Sequence, residues 1–413
     1  MTKTEWKLSR LDELGFVGRG KSRHRPRNDD RLYDGPYPFI QTAEIMNADP
    51  YITGYSQTYT EFGLQQSKLW PPNTLCMTIA GANTAETAIL KFAACFPDSI
   101  VGFIPDEKKA NLHFVKYTLD LMKDTFRAVT RGATQDNLSL DKLLSFPLPT
   151  PPLPVQRRIA GILSAYDELI ENNQRRIRLL EEMARSLYRE WFVHFRFPGN
   201  DKVKMVPSTL GPIPQGWEVK KLVDLTGFLS RGISPKYDDD GDSIVINQKC
   251  IREQHLSLEP ARRQIKPISE DKRVRFGDVL INSTGVGTLG RVAQVYEHLE
   301  QCTVDTHVTI VRPNNDTDID FFGCALFLKQ QDFERLGIGA TGQTELSRTA
   351  IGEVKIPTPP NSLQKVFGGF AHPIRTAAKT LSRQVENLRR TRDLLLPRLL
   401  SGQLDLKSMD AIA

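Results

Sequence analysis

The segment Leu148-Pro-Thr-Pro-Pro152 returns as Ile356-Pro-Thr-Pro-Pro360, an offset of 208 in a chain of 413 residues. Later positions keep this spacing: Gln156 with Gln364, Leu180 with Leu388, and Leu187 with Leu395. Upstream, Gly132-Ala-Thr134 matches Gly339-Ala-Thr341. A period this long is not that of a solenoid, whose repeats run to about 20–50 residues. The sequence therefore predicts two copies of a domain, each followed by a helix.

Both predicted helices carry an apolar stripe whose spacing alternates between four and three residues. The stripe of the first helix is Ile159, Leu163, Tyr166, Ile170, Asn173, Ile177, Leu180, Ala184, Leu187 and Trp191. The stripe of the second is Phe367, Ala371, Ile374, Ala378, Leu381, Val385, Leu388, Arg392, Leu395 and Leu399. Only Asn173 and Arg392 interrupt them with a polar group. This spacing is typical of a coiled-coil seam and predicts an antiparallel pair within one molecule.

The alternative is that two ordinary amphipathic helices each pack on their own domain. Their length of about 40 residues argues against it, because the mean helix has about 11–12 residues. Gly368, Gly369 and Pro373 are expected to break or delay the first turns of the second helix.

The region before each long helix predicts a mixed domain of short strands and one helix. In the first half the strands are near 37–40, 74–79 and 99–104, with a helix from Leu112 to about Arg127. In the second half they are near 243–246, 279–281 and 308–311, with a helix from Phe321 to Phe333. The predicted fold class is α+β. The predicted boundaries are 1–147 and 198–355 for the domains, and 148–197 and 356–413 for the helices and tail.

Bulk composition narrows the class of protein. The net charge of +6 favours an anionic partner only weakly. The five cysteines form no CxxC pair, which fits a reducing cytoplasm and argues against a disulfide framework or a zinc site. No stretch approaches the roughly 18 apolar residues of a membrane span, and the first residues lack a signal-peptide pattern. A cytoplasmic protein without a membrane partner is expected.

Residues 15–22 match the phosphate-loop pattern GxxxxGK[ST], but the polar residues 23–31 that follow show no apolar helical face. Nucleotide binding there is not expected. The same region alternates cations with small or polar residues: Arg19, Lys21, Arg23, Arg25 and Arg27. On an extended strand these five side chains would share one side and could contact DNA phosphates. The competing interpretation is a solvated loop balanced by Asp29 and Asp30.

Asp98 and Glu107-Lys-Lys109 resemble a nuclease PD…ExK pattern, but the second half lacks it, and chance is the better explanation. The histidines lack metal-ligand spacing. The motifs therefore predict neither a catalytic centre nor a metal site.

Recurrent polar loops with glycine are the better candidates for ligand contact, because glycine lets backbone approach closely and Ser, Thr, Asn and Gln bond to bases or phosphates. The alternative for each loop is a tight turn that closes a sheet. The candidates are Asn83 and Thr84 beside Ser283 and Thr284; Arg131, Thr134 and Gln135 beside Thr341 and Gln343; and the cations Arg231, Lys236 and Arg291.

The segment Pro149-Thr-Pro-Pro-Leu-Pro-x-Gln156, followed by Leu163, Asp167 and Asn172, resembles the conserved region of type I restriction-modification specificity subunits. Ser186-Leu-Tyr-Arg-Glu-Trp-Phe192 and Leu394-Leu-Leu-Pro-Arg-Leu-Leu-Ser-Gly402 resemble the end of that region and the family's C-terminal segment. Val155 and Leu363 depart from it, since the family often has Glu there. The resemblance covers essentially the whole chain.

The resemblance implies a non-catalytic adaptor for double-stranded DNA. Each domain would read one half of a split site, and the helix pair would set the gap and dock two modification subunits. S-adenosylmethionine, ATP and Mg²⁺ would belong only to the methyltransferase and restriction/translocase partners. The expected helix-pair contacts are Gln156, Leu163, Ile170, Asn173, Ile177, Leu180 and Leu187, with Gln364, Ile374, Leu381, Val385, Leu388 and Leu395.

Two other functions remain open on the residues alone. One is a coiled-coil scaffold without DNA affinity. The other is a metal-dependent nuclease that uses Asp98 and Glu107.

Overall fold

The structure, a computed structural model, describes residues 6–48, 50–81, 83–130, 137–337 and 345–404. The chain forms two units. The first comprises Met1–Gln174 and Arg383–Ala413, and the second comprises Arg175–Ser382. Both boundaries fall inside long helices, so the first unit is completed by a distant part of the chain.

The first unit begins with β1 and contains two main sheets and the start of α7. Its elements are β1 Lys7–Ser9, α1 Leu11–Leu14, β2 Gly15–Arg19, β3 Tyr33–Phe39, α2 Thr42–Met46, β4 Tyr51–Ile52, β5 Gln57–Tyr59, α3 Glu61–Gln65, β6 Leu69–Trp70, β7 Leu75–Thr78, β8 Thr87–Leu90, β9 Ala94–Cys95, β10 Ile100–Pro105, α4 Leu112–Leu121, α5 Lys123–Thr130, α6 Leu140–Leu144, β11 Leu148–Thr150 and α7 Leu153–Tyr188. The sheets have the orders β2-β10-β7-β8-β4 and β5-β3-β9-β6, and β1 pairs with β11.

The second unit continues from α7 and ends in the first part of α11. After a π-helical turn at Arg189–Val193, its elements are β12 Met205–Val206, β13 Ile213–Pro214, β14 Glu218–Lys221, β15 Thr226–Arg231, β16 Ser243–Ile246, β17 Ile251–Arg252, β18 His255–Leu256, β19 Arg262–Gln264, β20 Val279–Asn282, β21 Val292–Gln294, β22 Cys302–Val304, β23 Val308–Pro313, α8 Ile319–Leu328, α9 Gln330–Leu336, α10 Arg348–Gly352, β24 Lys355–Thr358 and α11 Asn361–Leu400.

The two units share one topology, which confirms the predicted duplication and the α+β class. The sheet β15-β23-β20-β21 corresponds to β2-β10-β7-β8, and β19-β16-β22 corresponds to β5-β3-β9. The strands expected from the sequence are all present. The helix expected from Leu112 to Arg127 is instead two helices, α4 and α5, separated at Met122. The second half repeats this break between α8 and α9.

Each unit has an apolar core beneath its main sheet, and the long helices contribute to it. In the first unit, Phe114 and Phe126 cluster with Ile159 of α7 and Leu399 of α11. In the second, Phe321 clusters with Trp191 and with Phe367 of α11. Complete burial of one such side chain stabilises the fold by about 1.5–3 kcal/mol.

The long helices run antiparallel in the first unit and also meet in the second. In the first unit Asn173 contacts Gln384, and Asp167 contacts Arg392, so rising numbers on α7 meet falling numbers on α11. In the second unit the rings of Trp191 and Phe370 lie 5.9 Å apart. Every member of both predicted stripes is buried or half-buried. The alternative of helices packed on their own domains holds in part, because Ile159 also belongs to the domain core.

The expected break near Gly368, Gly369 and Pro373 is wrong, because α11 is continuous from Asn361 to Leu400. Gly368 serves close packing: an added Cβ would lie 2.5 Å from a carboxylate oxygen of Asp318. Burial of Phe367 and its neighbours on the same face outweighs the missing N–H of Pro373, a loss of about 3 kcal/mol in a helix interior. None of the described helices has the length and apolar content needed to cross a membrane.

Candidate nucleic-acid interface

One end of the main sheet in the first unit gathers the basic segment and the predicted polar loop. Arg19 ends β2 beside Val101 of β10, and Gly20 donates its N–H to the carbonyl of Ile100 at 2.9 Å. The N–H of Ile79, just after β7, bonds to the carbonyl of Ser99 at the same end. Leu138 donates to the carbonyl of Ile79 at 2.8 Å, which brings in the chain that follows α5.

The second unit builds the same junction with different side chains. Ser283 takes the place of Ile79, because its N–H bonds to the carbonyl of His307 at 2.8 Å and its carbonyl accepts from Leu346 at 2.9 Å. Arg231 ends β15 at this edge, beside Thr309 of β23. The expected pairing of segment 81–84 with segment 283–287 is therefore displaced by two residues, and hydroxyl groups stand where the first unit has Ile79 and Ala80.

The basic segment of the first unit does not form the extended strand that was one of the two interpretations of its sequence. Strand β2 ends at Arg19, and residues 20–29 have no regular structure, so the five cations do not line one face of a strand. Side chains from elsewhere hold the segment. Gln66 accepts from the N–H of Arg23 at 2.6 Å, and Ser67 donates to the carbonyl of Lys21 at 2.8 Å. These tertiary contacts override the local alternation.

The cations of this segment differ in how far they are already engaged. Arg25 donates to the carbonyls of Ser22 and His24, both at 2.8 Å, and Arg27 lies 3.3 Å from Asp98. Within the described ranges, no carboxylate lies within ion-pair distance of Arg19, Lys21 or Arg23, all three of which are exposed. These three are the cations most available to an anion.

Asp29 is neutralised locally rather than left to oppose that charge. Arg31 donates to both of its oxygens, and His24 lies 2.7 Å away. The hydrogen bonds from Arg31 hold the pKa of Asp29 well below its usual range, so the carboxylate stays ionised and paired.

The glycines of the phosphate-loop pattern have a packing role. A Cβ on Gly20 would lie 2.2 Å from the carbonyl oxygen of Phe96, and one on Gly15 would lie 2.2 Å from that of Ile104. A Cβ on Gly232, the counterpart of Gly20 in the second unit, would lie 1.8 Å from the carbonyl oxygen of Val304. Residues 21–29, all of them described, form no helix, whereas a phosphate loop leads directly into one.

The charge of this segment differs sharply between the units. Residues 19–31 contain six Lys or Arg and two Asp, whereas residues 231–242 contain two Lys or Arg and four Asp. Lys236 is exposed in that acidic stretch, next to Tyr237. An anionic backbone is therefore attracted at this position in the first unit and repelled by the same position in the second.

The predicted polar loop of the first unit is internally bonded. Thr84 is buried, and its hydroxyl donates to the carbonyl of Gly81 at 2.7 Å, which favours the tight-turn alternative for this residue. Asn83 is half-buried. Arg127 of α5 donates to the carbonyl of Thr84 at 2.9 Å and pairs with Glu86 at 2.8 Å. Helix α5 thus fixes the loop at the sheet end.

The corresponding site of the second unit is a chain of polar contacts. Ser283 is buried with its hydroxyl 2.6 Å from that of Thr309, while Thr284 is half-buried with its hydroxyl 2.6 Å from Nδ1 of His307. Arg231 pairs with Glu345 at 2.6 Å. Arg291 closes the loop from the other side, donating to the carbonyl of Gly287 at 2.7 Å.

Five predicted contact residues lie outside the described residues: Arg131, Thr134, Gln135, Thr341 and Gln343. Sequence reasoning missed His307 and Glu345. Glu345 lies four residues after the second Gly-Ala-Thr segment, so its place next to a recurrent polar loop was the available signal. His307 carried no signal, because its contact with Thr284 joins two distant loops.

Gln156 and Gln364 are buried and make internal contacts in their own units. The Oε1 atom of Gln156 accepts from the N–H of Asn111 at 3.0 Å, and its Nε2 donates to the carbonyl of Pro151 at 2.9 Å. Gln364 repeats both bonds, with Asp318 at 3.1 Å and Pro359 at 2.9 Å. The recurrent proline-glutamine motif therefore joins each long helix to the domain before it.

Asp98 and Glu107 do not form a metal site. They flank the two ends of the six-residue strand β10, which separates them by roughly 20 Å at about 3.3 Å per residue. Across the described ranges, no group of three or more His, Cys, Asp or Glu side chains is placed to hold a metal ion.

Comparison with known proteins agrees with this architecture. The family model described as the type I restriction modification DNA specificity domain matches residues 3–182 and 214–386. The chain belongs to this family. It is 23% identical to the MjaIX specificity subunit of Methanocaldococcus jannaschii, over 98% of this chain and 95% of that protein. It is 25% identical to the HindI specificity subunit of Haemophilus influenzae, over 67% and 73%.

The same fold occurs in the crystal structure of a type I restriction-modification S subunit from M. genitalium. The TM-score is 0.63 at 18% identity, and 97% of each chain is covered. As a type I specificity protein the chain is a recognition component and not a catalyst. At the two sheet ends, the basic segment of the first unit corresponds to an acidic segment in the second.

Proposed function

We propose that this chain selects the DNA sequence on which a type I restriction-modification complex acts. Each unit reads one half of an asymmetric bipartite site in double-stranded DNA. The reading surface is the sheet end formed by residues 19–31, 79–86 and 137–138 in the first unit. In the second unit it is formed by residues 231, 283–291, 307 and 345–346.

The observation that carries the proposal is a repeated framework with unlike side chains at one place. Strand order and backbone hydrogen bonds at the junction are the same in both units. The side chains are cations next to Ile79 and Ala80 in one, and Ser283, Thr284 and His307 in the other. A shared framework with unlike contact groups suits two different half-sites, because base edges are distinguished by donor and acceptor pattern.

The antiparallel helices supply the spacer in this proposal. A helix of about 40 residues is about 60 Å long. That is long enough to hold two modules about one turn of DNA apart, roughly 34–36 Å. The helix surfaces would dock two modification subunits, and restriction/translocase subunits would join through them.

Chemistry would belong to those partners. S-adenosylmethionine would be bound by the modification subunits, and ATP and Mg²⁺ by the partner subunits rather than by this chain. The complex would work in the cytoplasm, where it meets genomic and invading DNA.

The deciding experiment maps methylated adenines across the genome of cells that express this chain with its neighbouring methyltransferase subunit, against cells without this chain. We expect a new split motif with a constant gap. The absence of a new motif, while both proteins are produced and associated, would contradict DNA selection and support a protein scaffold without DNA affinity.

A substitution in one unit shows which half of the DNA site that unit reads. Thr284→Val removes a hydroxyl at the second junction while keeping the shape of the side chain. We expect the motif to lose selectivity in one half and keep the other. Thr226→Val is the matched control, since its hydroxyl bonds to the carbonyl of Leu222 at the opposite end of β15.

A further inference from the structure

The spacing of the apolar stripes of α7 and α11 does not by itself specify which helices pair. The two stripes follow the same spacing at an offset of 208, so α7 could place its seam against α7 of a second copy in an equivalent register. Selection between these pairings therefore depends on the polar groups that interrupt the seam, as it does in other coiled coils.

The two polar seam residues Arg392 and Asn173 each make a contact between α7 and α11 in the first unit. Arg392 donates through Nη1 to Oδ1 of Asp167 at 2.7 Å, and the side chains are 19% and 3% exposed. The other oxygen of Asp167 accepts from the hydroxyl of Tyr117 on α4. Nearer the unit boundary, the amide of Asn173 lies 3.5 Å from that of Gln384.

Neither contact has a symmetric counterpart. Position 167 corresponds to Arg375, and position 392 corresponds to Ala184. In the second unit Arg375 turns to its own domain, pairing with Asp320 at 2.9 Å and with Gln294 at 2.5 Å. The helix carries a carboxylate at this position in one unit and a guanidinium in the other.

Pairing between equal helices of two copies would therefore fail in two ways. In an α7–α7 pair, the buried Asp167 would face Ala184 and be left without its cation. In an α11–α11 pair, Arg392 would lose Asp167 and would face Arg375, another cation, which is already paired with Asp320. Removing one partner of a buried ion pair is costly, since the remaining charge stays in the interior without compensation.

We propose that Asp167 and Arg392 select the pairing of α7 with α11 and exclude pairing between equal helices of two copies of this chain. The contact of Asn173 with Gln384 also favours the α7–α11 pair. In an α7–α7 pair Asn173 would face Arg176, and in an α11–α11 pair Gln384 would face Leu381. The ion pair thus specifies a partner helix and a register rather than adding general stability.

The test uses two full-length copies with different tags, produced together without partner subunits. The second copy captured through the first tag is measured. Arg392→Asp opposes Asp167 within the chain but attracts Arg375 across an α11–α11 pair, so we expect at least about a tenfold rise in capture. Asp167→Arg breaks the same pair equally, yet gains no contact with Ala184 and leaves Arg375 against Arg392. Its capture should stay at the wild-type level.

The charge-exchanged variant Asp167→Arg with Arg392→Asp keeps an ion pair within the chain, so it tests the proposal even when the single variants do not fold. It also makes the α11–α11 contact attractive, and its capture should lie above wild type and below Arg392→Asp. Equal capture by the two single variants, or wild-type capture by the exchanged variant, overturns the proposal and leaves the pair a stabilising role only.

Discussion

The side chain of Gln156, in the first turn of α7, accepts a hydrogen bond from the backbone N–H of Asn111, the cap residue of α4. Asn111 in turn accepts from the N–H of Phe114 at 3.0 Å, so the cap and the long helix are linked through one residue. Gln364 and Asp318 form the same link in the second unit. The domain and its long helix are therefore joined by a buried polar contact as well as by apolar packing.

Gln156→Ala should lower the free energy of unfolding by about 1–3 kcal/mol, because it leaves the N–H of Asn111 and the carbonyl of Pro151 buried without a partner. Gln364→Ala should act alike in the second unit. Urea denaturation measures both. Gln65→Ala, at an exposed position, is the control and should change stability by less than about 0.5 kcal/mol. If Gln156→Ala or Gln364→Ala were as stable as Gln65→Ala, the buried hydrogen bonds would not contribute to stability and the prediction would be wrong.

Gly20→Ala should destabilise the first unit, because the new methyl group meets the carbonyl of Phe96 and the chain there cannot move without breaking its bond to Ile100. The expected decrease in stability is about 1–3 kcal/mol, as for other overpacked sites. Gly161→Ala is the matched control and should have the opposite effect on stability. It lies in α7 with open space around it, and should stabilise by roughly 0.5–1 kcal/mol. Thermal denaturation measures the stability of both variants. A change of stability in the same direction for both would contradict the packing role of Gly20.

The salt dependence of DNA binding should depend mainly on the cations whose side chains are not already engaged by other groups within the described residues. Replacing Lys21 and Arg23 by Ala should reduce the slope of log K against log salt by up to about 1.8, or about 0.9 for each phosphate that is no longer neutralised. Replacing Arg25 and Arg31 removes the same charge from side chains already engaged within the segment. We expect a smaller change of slope. The slopes are measured with the assembled complex on its own site. An equal decrease for the two double variants would show that the internal contacts of Arg25 and Arg31 open on binding.

The stability of the first unit should fall as the pH drops below about 6.5, the ordinary pKa of histidine. Burial, reinforced by Lys91, lowers the pKa of His113, whose Nε2 lies 2.7 Å from the hydroxyl of Tyr51. A histidine whose folded pKa is lowered binds protons more readily when unfolded. Its contribution is therefore complete above the unfolded pKa and is lost as the pH falls toward the folded value. His113→Gln should flatten this dependence of Tm between pH 7.5 and 5.5, and an unchanged slope would refute the assignment.

The spacer proposal predicts that the length of the helix pair changes the gap in the recognised motif. Insertion of four residues after Asn173, with four matching residues before Gln384, should lengthen the gap without altering either half-site. The methylation map reads this directly. A control with four residues inserted after Gly199, outside both long helices, should keep the gap. An unchanged gap in the helix variant would end the ruler interpretation.

Periodic features were predictable from the sequence because they depend on neighbours along the chain. The stripe through Leu163 and Ile170 follows from helical spacing, and the strand at 243–246 follows from β-branched residues. The repeat itself needed only comparison of the chain with itself.

Features that depend on distant contacts were not predictable. The segment from Arg19 to Arg27 alternates like a strand, but Gln66 and Ser67 hold it in another shape. Asp167 gave no sign of a partner 225 positions away. Pro373 was expected to interrupt a helix that tertiary packing keeps intact.

The composition of the first unit has a consequence for the order in which the protein folds. Leu399 and Leu400 belong to the same core as Ile159 and Leu163, whereas the second unit is complete at Ser382. On the ribosome, the early part of α7 must therefore wait with its apolar seam uncovered while the whole second unit is synthesised. The half that is translated first is the last to close.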